Sequence, residues 1–257
     1  MTTPLFTRDP RELPFLHTQL ESAVALADRS SRGISIREDD DFGFMTLQFL
    51  YKQMQHAESI LLLVPRRDAG LVARTMIKGL YQLLWTSRAP EERARRWRSF
   101  SIIHDWRLMQ ARLREGISVG KADVAKNEAG LQEFGHLHLI NKPKSSDPYH
   151  RSWRGGTNLS DMADVVGREL YDGPYSELSD WEHWGVSGIG DSISREEGHI
   201  AVNPNSDRIA GLSLLAAFQC LIQTIGVADA YLTWDITDTV RNTEKSFIET
   251  LNSFYRE

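Results

Sequence analysis

The sequence has little that would suit a secreted protein. It contains one cysteine, Cys220, so the chain cannot form an internal disulfide bond. The N-terminal stretch MTTPLFTRDPRELPF lacks the basic start and apolar run of a secretory signal. Neither sign of charge dominates, since 30 lysines and arginines stand against 35 aspartates and glutamates. We therefore expect a cytoplasmic protein whose surface as a whole does not attract nucleic acid.

One long run lacks charge altogether. Between Arg208 and Asp229 every residue is uncharged, and apolar residues point in nearly all directions around a helix. A helix of this kind is buried on all sides, and the pattern predicts one over about 209–232. A membrane span would also be apolar, but Ser213 and Gln219 fall inside the run and no lysines or arginines cluster at its ends. We expect a central core helix and no membrane partner.

Apolar residues at three- and four-residue spacing predict further helices before and after this run. The predicted helices cover about 16–27, 42–64, 68–87, 90–114, 121–134, 158–170, 172–183 and 235–255. A small β-hairpin with a turn near Glu197 and Gly198 is predicted in front of the core helix. The fold class is therefore all-α, a multi-helix bundle around a buried apolar helix with a minor β-hairpin. Residues 1–41 hold an N-terminal helix and a charged linker, and residues 42–257 form the helical domain.

The short link Pro65–Arg67 predicts that the helices on either side of it lie antiparallel. Glu58 is eight residues before Arg66 and Arg74 is eight residues after it, so the two should lie at the same level. Each charge interrupts an apolar stripe and needs a partner. We expect Glu58 to pair with Arg74, with Lys78 one turn further along. The pair is open to two interpretations, a structural ion pair or part of a catalytic site.

A second polar set lies in YSELSDWEHWG. Tyr175, Ser179 and His183 are spaced by four and therefore line one face of a helix. A serine and a histidine four apart could act as nucleophile and base, but no third orienting group or glycine turn accompanies them. The set is a candidate site, with the plain alternative that it is a polar part of the core.

The order of several segments resembles a known family. RTMIKGLYQLLW, WRSFSIIHDW and YSELSDWEHWG precede a glycine-bearing hairpin and a long apolar helix, as in an uncharacterised bacterial family catalogued as domain of unknown function 5677. The resemblance implies an all-helical protein with functional residues at Arg74 and at Tyr175, Ser179 and His183. In that family an acidic residue often follows the arginine by four, where this chain has Lys78. The resemblance implies no established activity.

The glycine, proline and serine content of residues 135–156 predicts a long loop. Arg151 and Arg154 lie there beside Tyr149 and Trp153. Positive charge next to exposed aromatic rings suits the phosphates and stacked bases of single-stranded RNA. A disordered surface loop is the alternative.

Two pairs have a spacing used by di-metal helical bundles, Glu133 with His136 and Glu196 with His199. Both pairs adjoin a glycine at a predicted helix end or turn, which is a poor support for metal ligands. We predict no metal site and no cofactor.

These features give two hypotheses of different classes. The first is an intracellular defence-type or accessory protein that binds a polyanion such as RNA at a polar cleft. The second is a non-enzymatic scaffold that self-associates as a homo-oligomer or holds a partner protein. Candidates for catalysis are Arg74, His183 and Glu58, and candidates for binding are Tyr175, Ser179, Lys78, Arg151 and Arg154. An enzyme should place these side chains around an open pocket, whereas a scaffold should bury them as a satisfied network.

Overall fold

The computed structural model describes residues 11–143, 146–182, 193–196, 198–203 and 205–254. Within these ranges the chain forms nine α-helices and one two-stranded antiparallel sheet. The elements are α1 (Glu12–Ser31), α2 (Asp41–Leu63), α3 (Ala69–Ser87), α4 (Pro90–Arg114), α5 (Lys121–Phe134), α6 (Leu159–Val166), α7 (Ser176–Glu182), β1 (Ile193–Glu196), β2 (His199–Val202), α8 (Asp207–Leu232) and α9 (Thr237–Ser253). The predicted all-α class with a minor hairpin is confirmed.

Helix α8 is the buried centre of the bundle. It packs against α1, α2 and α3, and α9 covers it from the C-terminal side. The hydroxyl of Ser206 accepts a hydrogen bond from the Ile209 amide at 3.2 Å and so caps its first turn. Inside the helix, Ser213 donates to the Ile209 carbonyl at 2.6 Å and Thr224 to the Cys220 carbonyl at 2.7 Å. Its buried hydroxyls are therefore paired within the helix itself.

By length and composition alone, α8 could also cross a membrane. Its most apolar window has a mean hydropathy of 1.7, and 83% of that window is buried inside the protein. The neighbouring helices thus cover the apolar surface, as predicted for a core helix.

The core is continuous from α1 to α9. The buried apolar residues of α2 and α3 that face α8 include Leu50, Met54, Ala57, Ile60, Ala73, Met76, Ile77 and Leu80. Phe218 of α8 stacks on Phe247 of α9 with ring centroids 4.0 Å apart, and both are at most 2% exposed. Burying a side chain of this size contributes about 1.5–3 kcal/mol. This stack fixes α9 to the core.

A tyrosine sets the position of α7. The buried Tyr81 hydroxyl donates to the Gly167 carbonyl at 2.9 Å and accepts from the Tyr171 amide at 3.0 Å. Burial raises the pKa of Tyr81 to about 12, so the hydroxyl keeps the proton that it donates. Tyr171 begins the π-helical turn Tyr171–Tyr175, from which α7 continues. Tyr81 therefore anchors α7 alongside α3.

The hairpin forms where it was predicted. Ile193 pairs with Val202 and Glu196 with His199, so the turn lies between Glu196 and His199. Gly198 has a φ of 82°, a conformation that glycine adopts without strain.

Candidate functional site

Arg74 of α3 lies at the centre of a polar network with α7. Its Nε donates to the Ser179 hydroxyl at 2.9 Å, and its Nη2 donates to the Tyr175 hydroxyl at 3.1 Å. Its Nη1 forms an ion pair with the carboxylate of Glu182. The guanidinium also lies 4.7 Å from the centroid of the Tyr175 ring. We call these four residues the Arg74 network.

The spacing of α7 explains why these side chains meet Arg74. Tyr175, Ser179 and Glu182 are four and three residues apart, which places them on one helix face. Leu178 lies on a different face and is fully buried in the core. The apolar contact of Leu178 therefore turns the polar face of α7 toward α3. The structure brings together three of the predicted site residues and adds Glu182, which sequence reasoning missed although it shares their face.

The Arg74 side chain is buried and its donors are satisfied, while its three partners are half-buried. Arg74 is 7% exposed, and all three of its guanidinium nitrogens have a partner. The Ser179 hydroxyl donates to the Tyr175 carbonyl at 2.7 Å, so its proton is already engaged. Within the described residues the Ser179 proton goes to a backbone carbonyl and not to a base, so these residues do not activate the serine as a nucleophile. The network holds α3 and α7 together.

The predicted pairing of Glu58 with Arg74 is wrong. Glu58 is exposed on α2, and Arg74 pairs with Glu182 instead. The stripe of α2 that faces the core runs through Met54, Ala57 and Ile60. Glu58 follows Ala57 by one residue, which is about 100° of helix rotation, and so it turns to solvent.

His183 lies outside the described residues. It directly follows Glu182, the last residue of α7. Its predicted place on the Tyr175 and Ser179 face stays a prediction.

Lys78 and Arg154 carry positive charge next to the Arg74 network. Burial and the neighbouring charges of Arg74 and Arg154 lower the pKa of Lys78. Arg154 is half-buried, its Nε donates to the Ser152 hydroxyl at 3.0 Å, and burial lowers its pKa while nearby Tyr175 raises it. No carboxylate of the described chain forms an ion pair with either side chain. We call these two residues the Lys78–Arg154 pair.

The loop that carries Arg154 is packed against α4 over its described residues. Arg107 of α4 donates to the Asp147 carboxylate at 2.8 Å and to the carbonyls of Tyr149 and His150 at 3.1 and 2.9 Å. The Tyr149 ring meets Trp106 edge to face at 5.2 Å. These contacts fix the loop on α4.

The expected exposed aromatics of this loop are turned inward. Trp153 packs on Trp85 at 5.8 Å and Tyr149 packs on Trp106 at 5.2 Å, and both loop rings are half-buried rather than exposed. A loop has no periodicity, and sequence alone could not give the direction of these rings. Arg151 is exposed and lies near Asp147, whose pKa is lowered against the effect of burial mainly by the hydrogen bond from Arg107 and only slightly by Arg151.

Sequence reasoning also missed a buried pair between α4 and the loop. His138 is fully buried, and its Nε2 lies 2.9 Å from the Ser99 hydroxyl. Since Ser99 donates to the Arg95 carbonyl at 2.8 Å, its oxygen accepts from Nε2 of the imidazole. Burial, with the charge of Arg96, lowers the pKa of His138 to about 4, so the ring is neutral at pH 7.

The two Glu–His pairs with di-metal spacing, Glu133 with His136 and Glu196 with His199, have no third candidate ligand beside them among the described residues. Among the described residues, no group of three or more histidine, cysteine, aspartate or glutamate side chains is placed to hold a metal ion. Glu133 and His136 are both exposed at the end of α5.

Comparison with known proteins gives one match. Residues 44–200 match a family of unknown function, DUF5677. The match includes the Arg74 network and the Lys78–Arg154 pair, and it ends before α8. No curated protein and no solved structure matches the chain. Since the match covers more than half of the sequence, the chain belongs to the family of unknown function DUF5677.

Proposed function

We propose that the chain binds single-stranded RNA through its phosphates at the Lys78–Arg154 pair. One observation carries the proposal: two partly buried cations lie near each other, and no carboxylate of the described chain pairs with them. A buried charge without a partner disfavours its own ionised form. A phosphate placed between the two would stabilise both charged forms.

The surroundings of the pair favour an anion over a neutral ligand. The positive charge of Arg74 lies close to Lys78, but Glu182 compensates it. The Arg74 network also fixes Tyr175, which lies near Arg154. A guanidinium and an ammonium at a rigid surface are the side chains that proteins use to bind phosphate.

A third cation near the pair favours a ligand with several phosphates, such as RNA, over a single phosphate. Arg151 is exposed and three residues before Arg154 on the same loop, so it extends the positive surface outward. RNA binding of this kind would suit the cytoplasmic defence-type or accessory role expected from the sequence.

Filter binding with single-stranded RNA over a range of salt concentrations tests the proposal. Replacing both Lys78→Gln and Arg154→Gln should weaken binding about ten-fold and reduce the salt slope by about 1.4, since each lost contact to a single strand removes about 0.7. The matched control is Arg112→Gln with Arg114→Gln, which removes the same charge from the exposed end of α4. The control should bind RNA like the unchanged chain.

The scaffold alternative is favoured by a different observation. The Arg74 side chain is buried and its three guanidinium nitrogens are paired, as expected of a structural element rather than a reactive site. If the chain binds no RNA at low salt and forms a stable homo-oligomer by light scattering, RNA binding is wrong and the scaffold stands. An equal loss of RNA binding in the control variant would likewise contradict the assignment to Lys78 and Arg154.

A further inference from the structure

A groove of about 710 Å³ lies between α2, α3 and α4, next to the Lys78–Arg154 pair. Its lining includes Phe49, Gln53, His56, Lys78, Gly79 and Trp97. Lys78 thus belongs to the groove and to the cationic pair at once. A ligand with a phosphate at Lys78 would place its adjoining group in this groove.

One wall of the groove is aromatic. The rings of Phe49 and Trp97 are 5.8 Å apart at an angle of 70°, and both are partly buried. Unlike Tyr149 and Trp153, these two rings line an open volume. In proteins that bind single-stranded nucleic acid, aromatic side chains that stack on bases lie beside cations that bind the phosphate backbone.

The floor of the groove holds buried polar groups that lack partners. Gln53 is 3% exposed, and its Nε2 donates to the Met76 carbonyl at 2.9 Å. Its Oε1 and the Nε2 of His56 are buried with no hydrogen-bond partner in the structure. Burial, with the charge of Lys52, lowers the pKa of His56, so the imidazole is neutral at pH 7. A buried acceptor of this kind gains from a ligand that brings N–H groups.

Gly79 keeps the α3 side of the floor free of a side chain. A Cβ atom at this position would lie 3.2 Å from Nε2 of Gln53, which is a tight contact. Glycine within a helix costs stability relative to alanine, so its place here reflects the close approach of the Gln53 amide. The amide therefore lies against bare backbone at the bottom of the groove.

We infer that this groove binds a nucleobase of the RNA strand, with the base on Phe49 and Trp97 and its amino edge at Gln53. The inference rests on the proposed function, because the phosphate next to the base is placed at Lys78. A glutamine amide matches the adjacent acceptor and amino group of adenine, since it offers one oxygen and one N–H in the same plane. Binding therefore requires Gln53 and His56 to turn their unpaired atoms toward the groove.

The test compares a short oligoadenylate with an abasic RNA of the same length and charge by titration calorimetry on the full chain. We expect the oligoadenylate to bind about ten-fold more tightly, because only it has bases that the Gln53 amide can hold in place on the aromatic wall. In Gln53→Met and in Gly79→Ala this difference should shrink to less than about two-fold, while the affinity for the abasic strand stays unchanged. Gln132→Met on the exposed face of α5 is the matched control and should keep the full difference.

The outcomes separate the two proposals. Equal affinity for the two strands would overturn the base site and leave the phosphate site in place. Failure of both strands to bind would overturn the phosphate site as well. A difference that persists in Gln53→Met and in Gly79→Ala would show that the base lies elsewhere.

Discussion

Arg74 and Lys78 are one turn apart on α3, and their surroundings differ. Arg74 is 7% exposed and has a hydroxyl, a phenol and a carboxylate for its three nitrogens. Lys78 is partly exposed, faces two other cations, and pairs with no carboxylate of the described chain. A compensated cation can stabilise the fold, whereas an uncompensated one stabilises little and is free to bind an anion. The comparison separates the structural part of this region from its candidate binding site.

The largest expected effect is the loss of stability when Arg74, the structural cation of the two, is replaced. Arg74→Ala removes the partner of Glu182 and two hydrogen bonds to α7, and should lower the free energy of unfolding by about 3 kcal/mol. Glu182 is partly exposed, which keeps the loss at the low end for a broken ion pair. Urea denaturation measures the change, with Glu58→Ala as a control that should stay within about 0.5 kcal/mol of the unchanged chain. A stable Arg74→Ala variant would show that the network does not hold α7.

A second prediction concerns His138, a buried histidine of the loop that packs on α4. Its pKa is lowered from 6.5 to about 4, so between these values the unfolded chain binds a proton that the folded chain does not. Stability is therefore lost as the pH falls from 6.5 toward 4. The loss from this residue at pH 5 should be on the order of 2 kcal/mol relative to pH 7.

Urea denaturation at pH 7 and pH 5 checks this, with His138→Gln as the comparison. The variant has no imidazole at this position and should lose less stability on acidification than the unchanged chain. An identical acid loss in both proteins would mean that other groups cause it.

The smallest expected effect is the change in the free energy of unfolding when Lys78 of the Lys78–Arg154 pair is replaced. Lys78→Gln removes a cation that lies near two others, so the variant should unfold within about 0.5 kcal/mol of the unchanged chain or slightly above it. Thermal unfolding gives the comparison with Arg74→Gln, which should be clearly less stable. A large destabilisation by Lys78→Gln would reveal a structural partner and remove Lys78 from the proposed site.

Much of the fold could be predicted because helical periodicity is local. The apolar run that became α8, the stop of α2 before Pro65 and the turn at Gly198 all follow from short-range patterns. The meeting of Arg74 with Tyr175 and Ser179 could be anticipated only from the family resemblance. It depends on how α7 lies against α3.

The errors have physical causes of their own. Counting from the link put Glu58 on the wrong face of α2, because one residue turns a helix by about 100°. The rings of Tyr149 and Trp153 were assigned to solvent although α3 and α4 supply aromatic partners for them. Such long-range contacts leave no spacing signal in the sequence.

The central claim is that Lys78 is an uncompensated cation that an RNA phosphate neutralises. Its most direct test is the titration of the Lys78 side chain by NMR of selectively labelled lysine, without RNA and with saturating single-stranded RNA. The free protein should show a Lys78 pKa below the ordinary lysine value of 10.5, because of burial and of the charges of Arg74 and Arg154. Bound RNA should raise that pKa, since a phosphate favours the protonated amine. A Lys78 pKa that RNA leaves unchanged would contradict the account.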